Sequence, residues 1–316
     1  MTTDPSSPLP VDLPVDRSPV ESSPADRSPS PASSSRPAAR AQSELIRWFD
    51  GRGEIAVAFS GGVDSSVVLA AALRSTAPAV TAVTAVSPSV ATWQLELAQS
   101  IATHLGATHR LIETHEVELP EYRVNDASRC FHCKSTLYQT LHQLCQSPTL
   151  RDATIVSGTN ADDLGDYRPG IAAGDQAGVL KPLAELKIDK AAVREIAHRF
   201  GLPNASLPAS PCLASRIAYG VPVTVERLQR VEKAEDLLRE LGFETVRVRY
   251  HDGDLARIEV PADQIARLTD APIRTELSKH FSEIGFRYIT LDLQGFSSGS
   301  MNRQLVSLGQ PIGSGK

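Results

Sequence analysis

Hydrophobic positions along the chain follow two alternating periods. Short runs of apolar and β-branched residues at Ile55–Phe59, Ala79–Val86, His109–Glu113 and Thr154–Ser157 predict buried strands. Between and after them, Ser43–Asp50, Ser65–Arg74, Thr92–Leu105, Lys134–Cys145 and Asp189–Phe200 read as helices. Strand and helix in strict alternation imply a parallel sheet covered on both faces, with ligands at the carboxyl ends of the strands. From Thr224 the pattern changes. Leu228, Val231, Leu238 and Leu241 give Glu226–Leu241 a helical period, closed by Gly242. Strands follow at Glu244–Tyr250 and Leu255–Val260, then helices near Ala262–Leu268 and Arg274–Ile284, then a strand at Phe286–Leu293. The expected fold is α/β: a parallel sheet flanked by helices over 41–210, with a smaller C-terminal α+β domain over 211–302.

Composition sets the two tails apart. The first 40 residues hold nine of the 22 prolines and ten serines, with few apolar residues, so they are expected to be disordered. Residues 303–316 read as a second tail, frayed at its end. No basic start and apolar core mark an export signal, and no apolar run approaches the ~18 residues of a membrane span. The four cysteines are therefore expected in a reducing cytoplasm, where metal or sulfur chemistry is favoured over disulfides. A net charge of −5 argues against a nucleic-acid partner, which a basic excess would favour.

Ser60-Gly61-Gly62-Val63-Asp64-Ser65 directly follows the first strand. Its glycines permit a tight turn, so main-chain N–H groups and a helix N-terminus point into one concavity that suits phosphate. The Gly-Lys-Ser/Thr ending of a Walker loop is absent. After the fourth strand comes Gly158-Thr159-Asn160-Ala161-Asp162-Asp163. Two acids beside a bound triphosphate can hold Mg²⁺ through oxygen, and an Asp/Asn-rich helix cap is the simpler use of the same residues.

Cys130 and Cys133 form a C-x-x-C just before a predicted helix, and Cys212 lies in Ser210-Pro211-Cys212-Leu213-Ala214-Ser215-Arg216. Three thiolates are one fewer than a closed zinc site needs, and they suit a [4Fe–4S] cluster with one open iron. Zinc completed by His132 or a remote residue, and a redox dithiol, are the other uses of this set. Cys145 shares a helix face with Leu137, Leu141 and Leu144 and reads as core. Arg247 and Arg249 alternate on a strand, so they share one face, either solvated or facing a phosphate monoester.

In this order the motifs SGGVDSS (60–66), SPS (87–89), RCFHCK (129–134), GTNADD (158–163), DYRPG (166–170), CLASR with YG (212–216, 219–220), RVR (247–249) and RIEV (257–260) resemble those of the LarE-type sulfur transferases. These are members of the PP-loop ATP pyrophosphatase superfamily that act in nickel-pincer nucleotide (lactate racemase cofactor) synthesis. The resemblance covers about Ser43 to Asn302. It implies that ATP adenylylates a carboxylate of pyridinium-3,5-biscarboxylic acid mononucleotide and that sulfur then displaces AMP. It implies ATP phosphates at Ser60, Gly61, Gly62, Asp64 and Ser65, and Ser87 near the nucleotide. Gly158, Asp162 and Lys181, with Lys190 nearby, complete that site. Arg216, Arg247 and Arg249 are implied for the substrate phosphate and carboxylates. Some members sacrifice the sulfur of the cysteine matching Cys212, and others hold a cluster on three cysteines. Cys130 and Cys133 beside Cys212 favour the cluster, with sulfide or another sulfur donor as partner, in a homo-oligomer, by resemblance a hexamer. A tRNA thiolase, an NAD- or GMP-type synthetase and a non-enzymatic ATP- or metal-binding module share parts of the pattern.

Overall fold

The computed structural model describes residues 38–297 except 149 and 166–168. The tail readings for 1–37 and 303–316, and the first three residues of the DYRPG motif, lie outside the described residues.

In the first part, strands β1 (Ile55–Ala58), β2 (Val80–Val86), β3 (Thr108–Glu113) and β4 (Thr154–Ser157) alternate with helices. The helices are α1 (Ala38–Trp48), α2 (Val63–Ala72), α3 (Thr92–His104), α4 (Pro120–Arg123), α5 (Arg129–Cys145), α6 (Pro169–Gln176), α7 (Pro182–Glu185) and α8 (Lys190–Arg199). The sheet is wholly parallel in the order β3-β2-β1-β4, and a parallel bridge from Val156 to Leu180 extends it beyond β4. Sheet order reverses around β1, so the mouth of the β1–α2 turn is the expected ligand crevice. Helix α2 is buried from Ser65 to Ala72, which explains a sequence apolar on nearly every side. Its neighbours α1 and α8 close the same core through Leu45, Phe49, Val193 and Ile196.

The C-terminal part holds α9 (Val225–Glu240), β5 (Arg247–His251), β6 (Leu255–Glu259), α10 (Ile265–Thr269), α11 (Ala271–Ile284) and β7 (Tyr288–Leu291). Strands β5 and β6 are antiparallel, and β6 and β7 are parallel. Thr224 caps α9 by accepting from Arg227 N (3.3 Å), and Gly242, at φ +84°, stands just past its end. The core under this sheet also takes in Ala91, Val117 and Tyr122 from the first part.

The predicted parallel sheet with a small mixed domain is the fold observed. Several boundaries moved; helix α11 starts at Ala271 and not at Arg274. Helix α1 starts five residues early, at Ala38. Strand β5 starts only at Arg247, because Phe243 and Val246 turn into the core before it. Helix α5 starts at Arg129, so the C-x-x-C lies inside the helix and not before it. The cause is Asp126, whose carboxylate accepts from both N (2.7 Å) and Oγ (2.6 Å) of Ser128 and shapes the residue preceding the helix.

Candidate nucleotide and sulfur site

The β1–α2 loop is held in shape by its own side chains. Ser60 Oγ accepts from Gly62 N (3.3 Å), and Ser65 Oγ donates to Gly62 O (3.0 Å) while accepting from Ser60 N (3.3 Å). Gly61 is buried with φ +72°, and a Cβ there would stand 2.8 Å from Ala98 Cα. Gly62 differs: it is exposed, adopts ordinary extended φ (−71°), and meets only Ser60 Oγ at 3.4 Å. The loop is thus built from a buried half, Gly61 and Ser65, and an open half, Ser60 and Gly62. Asp64 follows in the first turn of α2, where its carboxylate accepts from Asn160 Nδ2 (3.2 Å).

Asn204 was not apparent from sequence. Its Nδ2 donates to Gly61 O (2.7 Å) and Ser66 Oγ (2.9 Å), so a buried amide 143 residues away fixes the loop. Only the turn-like Leu-Pro-Asn-Ala around it hinted at anything, and that pattern does not point to a phosphate loop.

The GTNADD segment meets the same loop from β4. A Cβ on Gly158 would lie 2.7 Å from Ser65 N, so only glycine lets the two turns touch. Asp162 accepts from Lys190 N (2.9 Å) at the start of α8, which is the capping use of that acid. Asp163 is buried, accepts from Asn160 N (3.2 Å), and pairs with Lys190 Nζ (3.3 Å). Lys181 pairs with Asp175. Ser87, at the end of β2, donates to the buried Glu116 (2.6 Å).

Cys133 and Cys212 meet at the C-terminal apolar cluster, and Cys130 lies one helical turn before Cys133 in α5. Cys130 is exposed, and Cys133 and Cys212 are half-buried against one apolar cluster. Burial pushes the Cys133 thiol up to about 12, with Cys212, Glu116 and Cys130 adding to the shift and Lys134 opposing it. Cys133 is therefore a thiol at neutral pH, and a metal would have to displace its proton. Leu213 N donates to Ser89 O (2.9 Å), and Ser89 Oγ bonds Tyr122 Oη (2.6 Å), so the loop after β2 is bonded to both the Cys212 segment and α4. Among the described residues, no group of three His, Cys, Asp or Glu side chains is closed enough to hold a metal ion. Cys145 packs with Leu137, Tyr138 and Leu141 in a separate core, as its helical spacing predicted.

The arginines are buried and largely paired. Arg216 Nε bonds Glu235 (2.9 Å), and Arg249 bonds Glu259 (2.9 Å) and Ser215 O (3.0 Å). Arg247 lies over the Phe296 ring (4.4 Å) and makes no ion pair among the described residues. Burial, then the like charges of Arg249 and Arg216, lower its pKa to about 10, which still leaves it charged at neutral pH. A solvated sheet face, the simpler use of Arg247 and Arg249, does not describe residues this buried.

A glycine-turned loop between a strand and a buried helix, at the reversal point of a parallel sheet, defines a nucleotide-binding protein of the PP-loop ATP pyrophosphatase class. The asparagine synthase family model matches residues 47–140. Over 264 residues the chain is 46% identical to the uncharacterized protein slr1717 of Synechocystis, covering 83% of this chain and 97% of that one. It is 37% identical over 254 residues to the pyridinium-3,5-bisthiocarboxylic acid mononucleotide synthase of Lactiplantibacillus plantarum, covering 80% of this chain and 90% of that enzyme. The uncharacterized protein MJ0830 of Methanocaldococcus jannaschii is 27% identical over 247 residues, 78% of this chain and 91% of its own length. The chain belongs to the family of the pyridinium-3,5-bisthiocarboxylic acid mononucleotide synthase. Among the described residues, no helix is long and apolar enough to cross a membrane.

Proposed function

We propose that this protein converts a carboxylate of pyridinium-3,5-biscarboxylic acid mononucleotide to a thiocarboxylate, using ATP and a sulfur nucleophile, as a step in nickel-pincer nucleotide synthesis. The observations that support the reading are a preformed phosphate loop after β1 and the packing of Cys133 and Cys212 against one apolar cluster, with the Cys212 segment bonded to the loop after β2 through Leu213 N and Ser89 O. A carboxylate is a poor electrophile, so its oxygen first attacks the α-phosphorus of ATP and pyrophosphate leaves. Sulfur then attacks the acyl carbon and AMP departs.

The α2 N-terminus faces the phosphates, and Ser60, whose Oγ accepts from Gly62 N, and Asp64 line the same mouth. Asp64, which accepts from Asn160 Nδ2 in the first turn of α2, and the acids Asp162 and Asp163 are the carboxylates that would hold Mg²⁺ there. Cys130, Cys133 and Cys212 fit an iron–sulfur cluster in donor chemistry, with Cys133 and Cys212 seated on one apolar cluster and Cys130 open to solvent, and they would be its ligands. Such a cluster, when bound, supplies sulfide as the nucleophile. Arg247 meets the substrate phosphate, with Arg216 and Arg249 held beside it by Glu235 and Glu259. A homo-oligomer in the cytoplasm stays part of the proposal.

The test incubates the anaerobic protein with ATP, Mg²⁺, sulfide and the biscarboxylic nucleotide. Pyrophosphate release should require the nucleotide, and the product mass should show oxygen exchanged for sulfur. Release independent of the nucleotide, or an unchanged product mass, sinks the reading.

Pairing separates the arginines. Arg247→Ala is expected to raise the nucleotide KM by about 10- to 150-fold, the loss of a charged hydrogen bond worth roughly 1.5–3 kcal/mol, with ATP binding intact. Arg249→Ala should instead lower thermal stability, because it removes a partner of the buried Glu259. Weaker ATP binding in Arg247→Ala would place that guanidinium at the activation site.

A further inference from the structure

Asn125 lies in the core between α4 and α5, fully buried and in the left-handed conformation (φ +59°) that asparagine tolerates. Its Nδ2 donates to Ala218 O and Val221 O (2.8 Å each), and its own backbone oxygen accepts from Gly220 N (3.1 Å). Its Oδ1 accepts from Arg129 Nη1, and that same nitrogen donates to Ala214 O (2.9 Å). Arg129 is the residue before Cys130 and is itself buried. Ala214 lies two residues after Cys212. One asparagine and one arginine therefore join the start of the C-x-x-C helix to the segment that carries the third cysteine, across 85 to 96 residues of sequence.

An apolar contact would join these segments as well, but it would tolerate sliding. Directional bonds to particular carbonyls fix a register, which is the best-attested use of polar groups inside a core. We infer that Asn125 and Arg129 are positioning residues that set Cys212 against Cys130 and Cys133. Asn125 is thus the register element, and Arg129 links it to the carbonyl of Ala214. The inference rests on the proposal that the three cysteines act as one set.

Its test needs no sulfur transfer, and ATP serves only as a check that the protein is folded. Full-length, metal-free protein is oxidised with diamide, and disulfides joining Cys212 to Cys133 or Cys130 are quantified by peptide mapping. Such bonds form only where Cα atoms come within about 7 Å, so their yield reads placement directly. Wild type is expected to form the Cys212 disulfide. Asn125→Gly keeps the backbone conformation and removes the side-chain bonds. Arg129→Gln removes the charge and the reach. Each should cut the yield by about fivefold or more in protein that still binds ATP, by loss of effective thiol concentration. Arg129→Lys should recover most of the yield, because both bonds run from one nitrogen that an ammonium can replace. An undiminished yield in the folded variants overturns the inference, and so does a wild type that forms no such disulfide. Loss of folding in both Asn125→Gly and Arg129→Gln overturns it too, since the pair would then be general scaffold. Absent sulfur transfer with this disulfide pattern intact would count against the proposed reaction and leave the positioning role standing.

Discussion

Gly62→Val is expected to leave the protein folded and to reduce pyrophosphate release by at least about a hundredfold, the scale of displacing the reacting phosphates from their productive position. The structure singles out this glycine from its neighbours. At Gly61 a side chain would strike the backbone of Ala98 and demand an unfavourable positive φ, and at Gly158 it would strike Ser65 N. Substitution at either position mixes folding with chemistry. Gly62 has ordinary φ and an open approach, so a valine there occupies the phosphate mouth without disturbing the core. Asp64→Ala should have a similar effect on activity through the lost carboxylate, and it should also free Asn160 Nδ2. The check is pyrophosphate release with ATP and the biscarboxylic nucleotide, read beside a thermal melt. A Gly62→Val protein that melts like wild type and releases pyrophosphate at the normal rate would refute the loop's assignment.

The parts of this site that were legible in the sequence are those made by near neighbours. The strand, turn and helix of the phosphate loop occupy 18 consecutive positions, 55–72, and both period and turn chemistry point the same way. The C-x-x-C and the face of Cys145 follow from spacing along one helix. What stayed hidden depends on contacts between distant segments. Asn204 supports the loop from 143 residues away, and Asn125 reaches carbonyls 92 to 96 residues away. Nothing local distinguishes either from an ordinary loop asparagine. The arginines show the complementary failure. Alternation placed Arg247 and Arg249 on one face, but it could not show that Glu259, set opposite Arg247 in the β5–β6 register, pairs diagonally with Arg249 and leaves Arg247 without an ion pair among the described residues. The start of α5 was misplaced because Asp126 acts on Ser128 through a local side-chain turn that hydrophobic spacing does not see.

Single replacement of Cys130, Cys133 or Cys212 by alanine is expected to lower bound iron by about tenfold or more and to stop repeated turnover, if all three ligate one cluster. Cys145→Ala should do neither, because that thiol packs among Leu137, Tyr138 and Leu141 in a different core. The three positions are not equivalent in their surroundings, and that makes the comparison informative. Cys130 is exposed, whereas Cys133 and Cys212 sit together on the apolar cluster. A mechanism in which a protein cysteine surrenders its own sulfur needs only one thiolate beside the acyl-adenylate. The thiolate would attack the acyl carbon as AMP leaves, and β-elimination would then break its Cβ–S bond. The sulfur would depart with the product, and dehydroalanine would remain. In that case Cys212→Ala would abolish transfer, Cys130→Ala and Cys133→Ala would each keep one turnover per chain, and spent protein would be lighter by the mass of H₂S. Intact-mass measurement after anaerobic turnover with sulfide supplied separates the two routes. Equal loss of iron and of multiple turnover in the three variants, with unchanged protein mass in wild type, supports a shared cluster. Stoichiometric dehydroalanine at position 212 in iron-loaded protein would overturn it and leave Cys130 and Cys133 as bystanders to the transfer.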